Sequence, residues 1–138
     1  MYGKILIAVD GSDSNKAAVD QGLQLAKNFG AEVTALTVAD TGPVAATNRD
    51  SNADYRRSVL EDAQKAQDYI KEKAAEMGVK VDFKIVDGHP SDVIVFMSAD
   101  YDLVVLATLG KTGFRRLALG SVAETVIRTA KCTVMVCR

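Results

Sequence analysis

The chain has 138 residues, 48% of them apolar and 25% charged, with a formal net charge of -1. That is enough chain for one domain with a core that needs no disulfide or metal staple, and the near-neutral balance gives no reason to expect nucleic acid or an anionic membrane as partner. One histidine and two cysteines without a Cys-x-x-Cys pair leave nothing that resembles a zinc site.

Residues Lys4 to Val9 read as the first strand. The apolar run stops at Asp10, too short for a signal peptide or a membrane span, so the expected location is the cytoplasm and the expected unit a single domain over residues 1–138. Gly11-Ser12-Asp13-Ser14 turns the chain into a helix with the apolar stripe Ala18, Gly22, Leu25, Ala26 and Phe29, closed by Gly30. Glu32 to Val38 is the second strand. Ala39 to about Asn52 is polar and without period, and reads as a mobile loop. A single long helix is expected from about Ala53 to Met77, with Val59, Ala63, Ala66, Ile70 and Met77 on one face, a stripe read as core or interface rather than cofactor site.

In the third strand, Val79 to Val86, apolar and charged residues alternate, as suits a sheet edge with one wet face. Gly88-His89-Pro90 leads to a short helix carrying Val93, Ile94 and Met97, with Pro90 suited to the first turn. Leu103 to Ala107 is continuously apolar, like the first strand, and a last strand follows at Thr133 to Cys137. With the fully apolar strands in the middle, the expected fold is α/β: an open parallel five-stranded sheet of order 3-2-1-4-5 with helices on both faces. In such a sheet a ligand binds beyond the carboxyl ends of strands 1 and 4, where the order reverses.

The stretch Ala107-Thr108-Leu109-Gly110, nine residues, then Gly120-Ser121 falls at that point. A glycine-bearing turn between strand and helix presents backbone N–H groups to an anion, and the helix dipole adds to the attraction. Gly110-Lys111-Thr112 is not a Walker A loop, because the glycine required five positions earlier is Val105. Ser121 has two readings, a phosphate ligand or half of a Ser-x-x-Glu capping box with Glu124. Asp10 likewise suits a ligand contact or a turn, and Asp40 stands where dinucleotide folds keep a ribose-binding acid but lacks a preceding G-x-G-x-x-G. Lys111, Arg115 and Arg116 can complement phosphate or simply be solvated. His89 reads as a turn residue, and Cys132 and Cys137 as inert core thiols. No Ser-His-Asp set or carboxylate pair indicates catalysis.

With Ile5-Leu6-Ile7-Ala8-Val9-Asp10-Gly11-Ser12, Ala35-Leu36-Thr37-Val38, Gly88-His89-Pro90 and the stretch from Ala107 to Ala123, the chain resembles the universal stress protein family in its small ATP-binding form. The resemblance implies a Rossmann-like, adenine nucleotide alpha hydrolase-like fold. It also implies an adenine nucleotide, ATP or else ADP or AMP, brought with Mg2+. Adenine and ribose would lie at Ala8, Val9, Asp10 and Val38, and the phosphates along Ala107, Thr108, Gly110, Lys111, Thr112, Gly113, Gly120, Ser121 and Val122. It implies a regulatory, stress-response role in which occupancy orders the Thr41 to Asn52 loop, a homodimer through strand 5, an unidentified protein partner, and at most slow ATP hydrolysis. Thr133, where the family often has proline, is expected to add its N–H to the dimer pairing. One position departs: the first glycine of the family's signature is Ala107. A methyl group there costs about 1–3 kcal/mol if ligand crowds it, and little if the backbone has an ordinary negative φ. Two other readings stand beside this one, the same fold acting without nucleotide and a receiver-type phosphoacceptor domain; the latter fits badly, since Asp10 after strand 1 lacks the expected acidic pair and the next strand-end acid that could accept phosphate, Asp87, comes far too late in the chain.

Overall fold

Ile5, Leu6 and Ile7 of β1 (Lys4–Ala8) and all five residues of β4 (Leu103–Ala107) are buried. Only the interior of a sheet covered by helices on both sides accepts such runs. The computed structural model describes residues 1–41, 49–108 and 119–138. The remaining strands are β2 (Glu32–Ala39), β3 (Val81–Asp87) and β5 (Thr133–Cys137). They form one parallel sheet of order β3-β2-β1-β4-β5, the order expected from the sequence. A receiver-type sheet would place β2 at its edge beside β1, so the topology removes that reading.

Helices α1 (Lys16–Phe29) and α3 (Asp68–Met77) pack on one face of the sheet, over Ile5, Ile7, Val33, Ala35 and Val105. Helices α4 (Pro90–Ser98) and α5 (Ser121–Thr129) cover the other, over Leu6, Leu36, Val104 and Leu106. Each fully buried Leu, Ile or Val contributes about 1.5–3 kcal/mol from leaving water. In α1 the buried set is Ala18, Val19, Gly22, Leu23 and Ala26. Phe29, expected on this stripe, is instead 47% exposed. Glu32 pairs with Lys4 at the first rung of the sheet, so Phe29 lies past the sheet's end, edge-on to Tyr2 at 5.5 Å.

The long helix expected from Ala53 to Met77 is two helices, α2 (Arg49–Ala66) and α3, broken at Gln67. Gln67 falls on the apolar face and is 2% exposed. A buried amide must find partners, and Nε2 donates to the Lys84 carbonyl at 3.0 Å and the Ala35 carbonyl at 3.4 Å, tying the bend to β3 and β2. Beyond the bend, α3 sends Ile70 and Ala74 into the core. Before it, α2 leans over the carboxyl end of the sheet. Three further boundaries differ from expectation: β2 runs to Ala39 and α2 begins at Arg49, both inside the stretch read as loop, and β3 starts at Val81. Among the described residues no helix is long and apolar enough to cross a membrane.

Candidate functional site

A cavity of about 470 Å³ opens at the carboxyl ends of the strands, where β1 and β4 part. That volume is in the range of small-molecule sites. Of the residues singled out in the sequence, Ala8, Val9, Asp10, Val38, Ala107, Thr108, Gly120, Ser121 and Val122 all line it. Gly110, Lys111, Thr112 and Gly113 lie outside the described residues, as do Arg115 and Arg116.

The end of β1 is held by a residue the sequence reading missed. Asn15, 4% exposed, donates from Nδ2 to the Ala8 carbonyl at 2.8 Å, and its Oδ1 accepts the Asp10 N–H at 3.3 Å. Its place in a polar turn gave no hint of this. Asp10 uses Oδ1 to accept the Ser12 N–H at 2.9 Å and the Ser12 hydroxyl at 2.6 Å, so the turn-forming reading accounts for that oxygen.

On β2, the pairing with β1 ends at Ala8 and Leu36, with the Val9 N–H reaching the Leu36 carbonyl at 2.8 Å. The Val9 carbonyl is taken by the Thr37 hydroxyl, also at 2.8 Å. In a parallel strand the N–H and C=O of one residue point the same way and alternate along the chain. Leu36 faces β1, so Val38 faces that side too, beyond the end of the ladder, and offers a peptide edge to the cavity. Val38, Leu36, Leu106 and Ile94 supply apolar wall around it.

On the other side, Ala107 is in register with Cys137. No non-glycine residue among those described has a positive φ, so replacing the signature glycine strains no backbone there. The Gly120 N–H is donated to the Thr108 carbonyl at 2.7 Å and is not available to a ligand. The Gly120 backbone is extended and its carbonyl accepts the Glu124 N–H at 2.9 Å, so Gly120 is the N-cap of α5 and Ser121 its first residue, and the N-cap carries no side-chain hydrogen bond. The capping-box reading of Ser121 is therefore not realised, and the Glu124 carboxylate pairs with Arg128 at 3.0 Å instead. The N–H groups of Ser121, Val122 and Ala123 are the first-turn donors that a helix leaves without intrahelical partners.

The fourth wall is α2, through Val59, Asp62, Ala63 and Ala66. The sequence reading assigned this stripe to core or interface. The break at Gln67 divides it, sending Ile70 inward and the earlier residues to the cavity. Gly11 seats α2: its φ is +78°, and a Cβ there would lie 2.8 Å from the Ala66 Cα. Asp40 also lines the cavity, and the strand end that carries it is clamped by Asp87, whose carboxylate accepts both the N–H and the hydroxyl of Thr41. Those bonds lower the Asp87 pKa. His89 precedes Pro90 as the N-cap of α4, with Nδ1 3.2 Å from the Ser91 hydroxyl. Cys137 is buried and Cys132 partly so, and burial pushes both thiols up, away from the reactive thiolate.

Sheet order and cavity position define an open α/β protein with its site at a topological switch point. The model of the universal stress protein family matches residues 1–138. A universal stress protein of Methanocaldococcus jannaschii is 39% identical over 139 residues, covering 99% of this chain and 82% of that one. The chain belongs to the universal stress protein family. Among solved structures, universal stress protein UspA from Lactobacillus plantarum superposes with a TM-score of 0.86 at 27% identity, covering 99% of this chain and 98% of that one. A universal stress protein in complex with cAMP superposes at 0.75 with 25% identity, covering 99% and 97%.

Proposed function

We propose that this protein binds an adenine nucleotide in the cavity at the ends of β1, β2 and β4 and acts as a nucleotide-responsive regulatory module. The observation that carries this reading is the pairing of two unspent sets of backbone groups, the Val38 edge on one side and the first-turn amides of α5 on the other, across a largely apolar cavity. Adenine is a flat apolar ring with a donor and an acceptor on one edge, which suits a strand edge between aliphatic walls. The sugar then lies over the end of β1 and the phosphates reach α5, where N–H groups and the helix dipole favour negative charge. The complex of a family member with cAMP supports this reading.

ATP with Mg2+ is the form proposed. Mg2+ keeps most of its waters and is held by phosphates with one or two carboxylates, and among the described residues no three ligating side chains come together. The phosphate charge is therefore met by backbone N–H groups, and the ion accompanies the nucleotide. The protein is further proposed to form a homodimer through the edge of β5, leaving its other surfaces to a protein partner. The Thr108 N–H bonds the Cys137 carbonyl at 3.0 Å, so Cys137, Met135 and Thr133 face β4 and the free edge belongs to Val134 and Val136. Thr133, against expectation, has its N–H turned inward.

Calorimetric titration with ATP, ADP and AMP, with and without magnesium, tests the site. Val38→Pro removes the N–H that faces the cavity and none that β3 uses. Wild-type binding with a tenfold or greater loss in this variant is expected, and unaltered affinity in a folded variant refutes the placement of the base.

A further inference from the structure

Helix α2 sets four residues on the cavity wall at 59, 62, 63 and 66, which is the i, i+3, i+4, i+7 spacing of one helical face. Val59, Ala63 and Ala66 are what such a face calls for. Asp62 is not. Its carboxylate is exposed, and it makes no hydrogen bond or ion pair with the described residues. The other acids at the cavity differ: Asp10 is engaged by Ser12, and Asp40 has a partner. A carboxylate only accepts hydrogen bonds. Water satisfies it while the cavity is open, and a ligand that fills the cavity must replace that water with a donor of its own or leave a charge without one.

The position of Asp62 selects which part of a ligand it meets. Ala66 rests on the Gly11 turn at the end of β1, and Asp62 is one turn earlier, about 6 Å along the helix axis. Helix α2 packs chiefly against β2 rather than α5 or β4, so Asp62 belongs to the β1–β2 side of the cavity, away from the α5 amides that suit phosphate. Building on the nucleotide reading above, we infer that Asp62 is a specificity-determining residue that accepts a hydrogen bond from the sugar hydroxyls and repels phosphate from the 2′ side. The site accordingly takes nucleosides phosphorylated at the 5′ end with a free 2′-hydroxyl, and rejects 2′-phosphorylated ones.

The test is a titration of wild type, Asp62→Asn and Asp62→Ala with AMP, 2′-deoxy-AMP and adenosine 2′,5′-bisphosphate. A hydrogen bond to an ionised group predicts roughly ten- to a hundredfold preference of wild type for AMP over the deoxy ligand. In Asp62→Ala that preference falls to a fewfold, and the bisphosphate, excluded by wild type, binds. Asp62→Asn keeps the shape but not the charge, and admits the bisphosphate as well. The side chain is exposed and unpartnered, so both variants fold as wild type does. If wild type binds AMP and Asp62→Ala keeps the same ratios, the inference fails and the nucleotide reading stands. If wild type binds none of the three, both fall.

Discussion

Gly11 joins the fold to the cavity, and Gly11→Ala tests that junction. Its φ of +78° costs an alanine about 1–2 kcal/mol. The added Cβ also falls 2.8 Å from the Ala66 Cα and 3.0 Å from the Ala66 Cβ. Backbone cannot swing aside as a side-chain tip can, so overpacking adds about 1–3 kcal/mol. The reduced freedom of the unfolded alanine chain returns about 0.4–1 kcal/mol. The expected loss is about 1–4.6 kcal/mol, read as a fall in the midpoint of urea unfolding followed by circular dichroism, at unchanged slope. Gly30→Ala isolates the two contributions: φ there is +63° and nothing lies within 4 Å of the added Cβ. It carries the backbone cost less the same unfolded-chain return, about 0–1.6 kcal/mol. Gly11→Ala also tilts α2 off its seat, so its AMP affinity drops while that of Gly30→Ala holds. Equal destabilisation by the two substitutions, with equal AMP affinity, refutes the close contact as the device that positions α2.

Tyr69 donates its hydroxyl to Asp20 Oδ1 at 2.7 Å, and this bond, with smaller contributions from burial and nearby acids, raises its pKa to about 12. The folded state then holds its proton where the unfolded chain has released it. The stability this contributes is complete below pH 10 and is lost as pH rises from about 10 to 12. Tyrosinate absorbance during a base titration should show one of the four tyrosines lagging, and Tyr69→Phe should abolish that late phase; its survival assigns it elsewhere. At the β5 edge, Val136→Pro removes an N–H that faces away from β4, and light scattering at micromolar concentration should find dimer in wild type and monomer in the variant. Met135→Pro breaks the β4 ladder instead and should lower thermal stability. A wild type that is already monomeric ends the dimer proposal.

The parts of this molecule legible in the sequence are those where burial alone decides. Ile5 to Ile7 and Leu103 to Leu106 have no polar alternate, so they belong in the middle of a sheet, and the charged alternation of Asp82 and Lys84 sends β3 to the edge; the sheet order follows from these two facts. The site was legible to the extent that it hangs on strand ends, which is why Asp10, Val38 and Ala107 fall on one cavity. What escaped depends on which of several hydrogen bonds a polar group makes, and spacing does not specify that. Gln67 could have pointed outward; two carbonyls on β2 and β3 reward it for turning in where α2 gives way to α3. Ser121 and Glu124 have the spacing of a capping box, yet the Glu124 N–H bonds the Gly120 carbonyl, so the helix starts one residue early and the Ser121 hydroxyl is not its cap. In both cases a local rule is overruled by hydrogen bonds to main-chain carbonyls that spacing does not specify. Gly120 and Ser121 line the cavity, so at that wall the residue that the sequence pattern misplaced is one whose conformation shapes the site.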